Sequence, residues 1–149
     1  VDTITVSKTF EGDLRGMLDR CRTLDSRKFW PGSQLMSSGA DVLYYMASMR
    51  LKGTNMTDID IEEKLSPVEE QAGGTLAFKT TQKVSWPSGH AYGDTEYVFT
   101  PGSPNTLTFT YHYEPPGTKL VKPKELPAFH AGMQKVAARY LDALTAAPV

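Results

Sequence analysis

The chain has 149 residues, with 16 basic against 17 acidic side chains, one cysteine and three histidines. That length suits one domain, able to bury roughly 68–70 % of the unfolded chain's surface without disulfides or metal staples. With no basic block longer than the neighbourhood of Lys119 to Lys124, there is no electrostatic footprint for nucleic acid or an anionic membrane, and the lone Cys21 with scattered histidines leaves neither an internal disulfide nor a zinc-like spacing.

No apolar run is long enough to span a bilayer and no signal-peptide pattern opens the chain as given. These properties predict a cytoplasmic protein without membrane insertion, with neutral partners and without a cofactor or bound metal.

Val1 to Phe10 alternates, with Ile4, Val6 and Phe10 on one side and Thr3, Thr5, Ser7 and Thr9 on the other, and reads as a first strand. After Glu11-Gly12, Asp13 is placed to cap a helix whose apolar stripe is Leu14, Met17, Leu18, Cys21 and Leu24. Cys21 therefore sits on a buried face, while a reactive thiolate needs access and a positive neighbour. Leu24 to Gly32 is a short helical or turn segment stopped by Pro31-Gly32, with Phe29 and Trp30 set to dock against the sheet.

From Ser38 to Leu51 apolar residues occur on both parities, which predicts one strand covered on both faces and does not choose its inner face. Met56 to Leu65 alternates cleanly, with Thr57, Ile59, Ile61, Glu63 and Leu65 inward and Asp58, Asp60, Glu62 and Lys64 outward. The sequon Asn55-Met56-Thr57 within this region reads as a chance match, because no export signal accompanies it. Thr75 to Trp86 places Leu76, Phe78, Thr80, Gln82, Val84 and Trp86 inward, and His90 to Thr100 adds Thr95, Tyr97 and Phe99, with Gly93 as a candidate bulge. Asn105 to Tyr113 carries the clearest alternation, Leu107, Phe109, Tyr111 and Tyr113 against Thr106, Thr108, Thr110 and His112.

Pro127 to Leu144 is the one long helical pattern. At about 100° per residue, Phe129, Met133, Val136, Ala137, Tyr140, Leu141 and Leu144 share one arc. An α+β architecture follows, a curved antiparallel sheet closing on this helix, since that arrangement buries every apolar face.

The order of one strand, two short helices, five further strands and a long terminal helix, with Phe29-Trp30-Pro31-Gly32 before the meander and Phe129 to Leu144 as the gripping helix, resembles the helix-grip fold of the START-like or SRPBCC superfamily. The resemblance covers nearly the whole chain and includes no catalytic motif. It implies an apolar cavity between sheet and helix that binds a lipid-, sterol- or polyketide-like molecule, and in cyclase or dehydratase members a cofactor-independent reaction that uses inward Arg, Tyr, Ser and acidic side chains. A further branch of the superfamily, the Hsp90 activators, implies a protein-interaction module that exposes an apolar patch. Arg50 is the one arginine in the middle strands, and its parity is opposite to Met49 and Leu51.

His130, on the first turn of the long helix, aims at or beside this cavity, where it either donates to a ligand or acts as a base, or else is satisfied by neighbouring backbone. Glu63 is an acid on a face otherwise made of Ile59, Ile61 and Leu65. Desolvation there would raise its pKa and fit it for proton transfer, the alternative being exposure at the strand's end. Thr80, Gln82, Tyr97 and Tyr111, together with Phe129, Met133, Val136 and Tyr140 on the helix, are the candidate ligand-binding residues, the polar ones either orienting a bound molecule or pairing with one another. Ser88-Gly89-His90 lacks a nucleophile-elbow context, and His90 and His112 read as surface residues.

Overall fold

The computed structural model describes residues 2–51, 54–115 and 121–147, except the side chains of 49–51 and 54–58. Eight described strands form one antiparallel sheet: β1 (Asp2–Phe10), β2 (Gln34–Gly39), β3 (Val42–Leu51), β4 (Thr54–Leu65), β5 (Glu69–Glu70), β6 (Leu76–Trp86), β7 (Gly89–Thr100) and β8 (Asn105–Tyr113). Their spatial order is β1-β8-β7-β6-β4-β3-β2, with β5 paired separately to β6. Helix α1 (Leu14–Cys21) and a 3₁₀ segment (Asp25–Phe29) follow β1, and α2 (Leu126–Ala146) ends the described chain. This is the expected α+β helix-grip arrangement.

Alternation builds the sheet's inner face as the sequence implies. Ile59, Phe78, Tyr97, Phe99, Leu107 and Phe109 are buried, whereas Asp60, Lys79 and Lys83 are exposed. Asp58 lies outside the described side chains, as do Thr57, the sequon and Arg50. The seven apolar residues of the α2 arc are all buried, so the helix lays that stripe on the sheet. Lys8 of β1 pairs with Asp142 of α2 at 2.7 Å, and Arg20 Nη1 donates to the carbonyls of Leu144 and Ala147 at 3.0 and 2.7 Å. A cation there satisfies carbonyls that the helix C-terminus leaves without partners and opposes the negative end of its dipole.

Asp13 caps α1 as its position suggests, accepting from the Gly16 N–H at 2.9 Å, and Met17, Leu18 and Cys21 are buried. Burial pushes the Cys21 thiol up to about 12 against the opposing pull of Arg27 and Arg20, which leaves it inert. The 3₁₀ segment is tied down at Gly32, where φ is +77° and an added Cβ would lie 2.2 Å from the Ser48 carbonyl oxygen. The Ser48 N–H donates to the Gly32 carbonyl at 3.0 Å, so the close approach is a backbone contact that only glycine permits.

Three readings are corrected. The single strand Ser38 to Leu51 is a hairpin: Asp41 turns at φ +56°, a left-handed geometry that Asp tolerates, and separates β2 from β3. Leu43, Tyr45 and Ala47 then take the inner face of β3. Gly93 forms no bulge, because β7 stays in register with β6 through that position and pairs Gly93 with Tyr113 of β8 in the same unbroken register as the rest of that strand pair. His112 is half-buried and its Nδ1 lies 2.8 Å from the Thr3 hydroxyl, although His90 is exposed as expected.

Candidate functional site: a cavity over a buried ion pair

Strand register explains how the site is assembled. One row across the inner face runs Leu43, Glu63, Gln82, Gly93, Tyr113, and the next runs Leu65, Thr80, Thr95, Tyr111, Ile4. Side chains two apart on a strand share a face and opposed residues are neighbours, so Glu63, Thr80, Gln82 and Thr95 must cluster. All four are buried. The row beyond, Tyr45, Ile61, Val84, Ala91, borders the cluster on one side.

Arg27, on the 3₁₀ segment, enters this cluster and is 2 % exposed, as is Glu63. Its Nε donates to Glu63 Oε1 at 2.8 Å and its Nη2 to Oε2 at 3.2 Å, a two-pronged pair. Tyr45 and Thr80 hydroxyls each donate to the same carboxylate at 2.7 Å, and Gln82 Nε2 does so at 3.1 Å. Arg27 Nη1 also reaches the Cys21 carbonyl, Ser26 Oγ and the Tyr140 hydroxyl at 2.7, 2.7 and 2.9 Å. The Tyr140 and Tyr97 hydroxyls lie 2.9 Å apart. One network therefore joins the 3₁₀ segment, the sheet and α2.

The electrostatics correct the expectation for Glu63. Burial alone would raise its pKa, but the Arg27 charge and the hydrogen bonds from Arg27, Thr80 and Tyr45 hold the carboxyl below its ordinary range. It is a buried carboxylate, neither a protonated acid nor an exposed strand-end residue. Burial opposes the charge of Arg27 as well, and Glu63 holds that guanidinium protonated.

Beside this polar floor, between sheet and α2, lies a cavity of about 90 Å³. Ile59, Ile61, Val84, Phe109, Phe129 and Met133 supply apolar wall, and the chain's two tryptophans, Trp30 and Trp86, also line it. Trp30 stands edge-on to Tyr140, ring centroids 5.3 Å apart. Arg27, Glu63 and Gln82 present the polar end.

Of the residues singled out from sequence, Glu63, Gln82, Tyr97, Tyr111, Phe129, Met133 and Tyr140 line the cavity. Thr80 lies behind Glu63 as a donor to it, and Val136 is buried on α2 outside the lining. His130 is half-buried, also outside the lining, with Nδ1 2.8 Å from the hydroxyl of Tyr113, which does line it. His130 and Glu63 thus belong to different hydrogen-bonded groups. Tyr111 alone of the inward tyrosines on β7 and β8 has a hydroxyl with no hydrogen-bond partner among the described residues. Arg27 was missed, although an acid on an apolar strand face is itself a signal that a cation must be found for it.

No protein-family model matches the sequence, and no curated protein matches it. Solved structures match in fold. A conserved protein from Geobacillus kaustophilus superposes with a TM-score of 0.78 at 13 % identity, covering 97 % of this chain and 93 % of that one. The Zhui aromatase/cyclase from Streptomyces gives 0.60 at 14 % identity over 97 % and 92 % of the two chains. Human STARD10 gives 0.51 at 15 % identity over 94 % of this chain and 63 % of that one. The chain shares the helix-grip fold of these structures, a curved antiparallel sheet closed on a long C-terminal helix. Among the described residues no helix is long and apolar enough to cross a membrane.

Proposed function

We propose that the protein binds a small, predominantly apolar molecule in the cavity between the sheet and α2. The observation that carries this reading is the form of the cavity, an apolar and aromatic wall closing on a polar end whose charges are already paired. Such a site favours a neutral molecule, since burial of a charged group needs a counter-charge and Arg27 and Glu63 consume each other's. At about 90 Å³ the cavity is well below the roughly 300–1,000 Å³ of pockets that enclose drug-sized ligands. The lipid, sterol or polyketide class that the resemblance implies therefore requires the wall to open, whereas a single-ring compound requires little.

Cyclase or dehydratase chemistry with Glu63 as proton donor is the weaker reading, because the carboxyl is held ionised and is engaged by Arg27, Tyr45, Thr80 and Gln82. A part for His130 has to pass through Tyr113. Among the described side chains, the interaction-module reading finds only Leu35, Met36, Tyr44 and Tyr92 as exposed large apolar residues.

Trp30 and Trp86 make the binding reading directly testable. Titration with single-ring and two-ring aromatics and with fatty acids should shift tryptophan emission and raise the melting temperature for at least one class. Ala91→Phe, which projects a ring from the lining, should weaken that response. Unchanged emission and melting across every class would overturn the reading. Native mass spectrometry of protein purified from its own cells would give the mass of a retained ligand.

A further inference from the structure

Two polar atoms at the cavity's inner end are left over when the buried network is complete. Gln82 is 6 % exposed, and its Nε2 donates toward Glu63 Oε2, Thr80 Oγ1 and Thr95 Oγ1 at 3.1, 2.7 and 2.7 Å. Its Oε1 is buried with no hydrogen-bond partner among the described residues. Turning the amide over does not remove the deficit. That would set Oε1 against the Glu63 carboxylate, oxygen facing anionic oxygen, so the present orientation is the one the chemistry selects. A buried acceptor left unmade is costly and is uncommon in folded proteins.

The second atom is the Tyr111 hydroxyl, which lines the same cavity and also has no partner among the described residues. Gly93 brings the two together. It pairs with Gln82 across β6 and β7, and the Tyr111 ring lies over it: an added Cβ would come 2.8 Å from Tyr111 Cε1 and 3.1 Å from its hydroxyl oxygen. An acceptor and a hydroxyl thus flank the one position on this row of the inner face that carries no side chain.

We propose that the cavity takes a hydroxyl-bearing molecule of at most one ring, whose O–H donates to Gln82 Oε1 while its oxygen accepts from the Tyr111 hydroxyl. The proposal rests on the reading of the cavity as a binding site. A single hydroxyl is the smallest group that satisfies both leftover atoms, and the aromatic wall suits a phenol. The volume, about 90 Å³ against the roughly 150 Å³ of an apolar cavity known to accept benzene, makes one ring the upper limit and requires the side chains of the wall to yield slightly to admit it. Carboxylates fit less well, because Glu63 already engages the Arg27 charge and Glu114 adds a carboxylate to the lining.

Phenol and toluene share shape and differ in the hydroxyl, so they separate this proposal from the one beneath it. Each is titrated into the ¹⁵N-labelled protein, with the Trp30 and Trp86 indole signals reporting occupancy and the melting temperature of every variant checked first. Phenol should bind about tenfold more tightly than toluene, the value of a hydrogen bond to an otherwise unpaired buried group. In Tyr111→Phe, which keeps the ring and removes only the hydroxyl, that ratio should narrow by at least threefold. Equal binding, or tighter toluene, would overturn the proposal while leaving the cavity as a binding site. A ratio unchanged in Tyr111→Phe overturns the placement of the hydroxyl. Failure of both compounds to move either indole signal overturns the proposal, and the reading beneath it falls only if two-ring aromatics and fatty acids also give no response.

Discussion

Arg27 and Glu63 meet through two parallel contacts, 2.8 and 3.2 Å, although 36 residues separate them in sequence and each is 2 % exposed. The pair locks the 3₁₀ segment to the middle of the sheet, and through Tyr140 it also holds α2. An ion pair this deep costs much of what it returns, because both partners lose their hydration. Its removal one side at a time is a different matter.

Arg27→Met or Glu63→Gln should each destabilise the protein by about 3–5 kcal/mol, since either leaves a charged group buried without its partner. The double variant Arg27→Met/Glu63→Gln should be less destabilised than the sum of the two single changes. Urea unfolding of the four proteins checks this. Additive losses would mean that the two side chains do not depend on each other.

The pH dependence follows from the same cluster. Glu63 is held below its ordinary 4.5, so its contribution is present above that value and is lost as pH falls through the depressed one. On the alkaline side, burial raises the pKa of Tyr45, Tyr97, Tyr111, Tyr113 and Tyr140 and of Cys21, with Tyr140 and Cys21 pushed up to about 12. Groups of that kind keep their protons longer folded than unfolded, so stability is intact below their ordinary values, 9.0 for the thiol and 10.0 for the phenols, and falls as pH rises beyond them. Unfolding free energy measured from pH 3 to 12 should form a plateau that drops at both ends. Stability that holds constant between pH 9 and 12 would contradict the burial of these groups.

Much of this was legible in the sequence for a physical reason. Strands with one wet face write their register into the alternation, so Ile59, Phe78 and Phe109 could be oriented from their neighbours, and α2 from the spacing of Phe129 to Leu144. The cluster of Glu63, Thr80 and Gln82 was visible as polar residues on inward parities. Arg27 was not visible, because a five-residue 3₁₀ segment has no period to show which side is buried, and its partner lies on a distant strand. The break at Asp41 was hidden by apolar residues on both parities of β3, which mask where one strand stops.

Gly93→Ala should destabilise the protein by about 1–3 kcal/mol, the usual cost of forcing atoms into a filled space. The added methyl meets the Tyr111 ring at 2.8 Å and the His112 carbonyl oxygen at 3.1 Å. Combining it with Tyr111→Leu should recover part of the loss, since the nearest obstacle is then gone. A double-mutant cycle showing no coupling between the two positions would place the ring elsewhere.

The grip of α2 on the sheet is tested at Met133, which is 5 % exposed and lines the cavity near Phe129 and Tyr140. In Met133→Asp a carboxylate replaces a thioether on the cavity wall, where the Arg27 charge is already engaged by Glu63. The carboxyl must either stay ionised at a cost of several kcal/mol or take up a proton and pay for that instead. Its folded pKa is therefore raised, and the sign is opposite to that of Glu63: the variant's deficit relative to the parent should be larger at pH 7.5 than at pH 5, because more protons are bound folded than unfolded over that interval. Gln134→Asp, one residue along on the exposed face of the same helix, is the control and should change stability by no more than about 0.5 kcal/mol. Equal melting temperatures for the two aspartate variants at pH 7.5 would show that the Met133 face does not rest on the sheet.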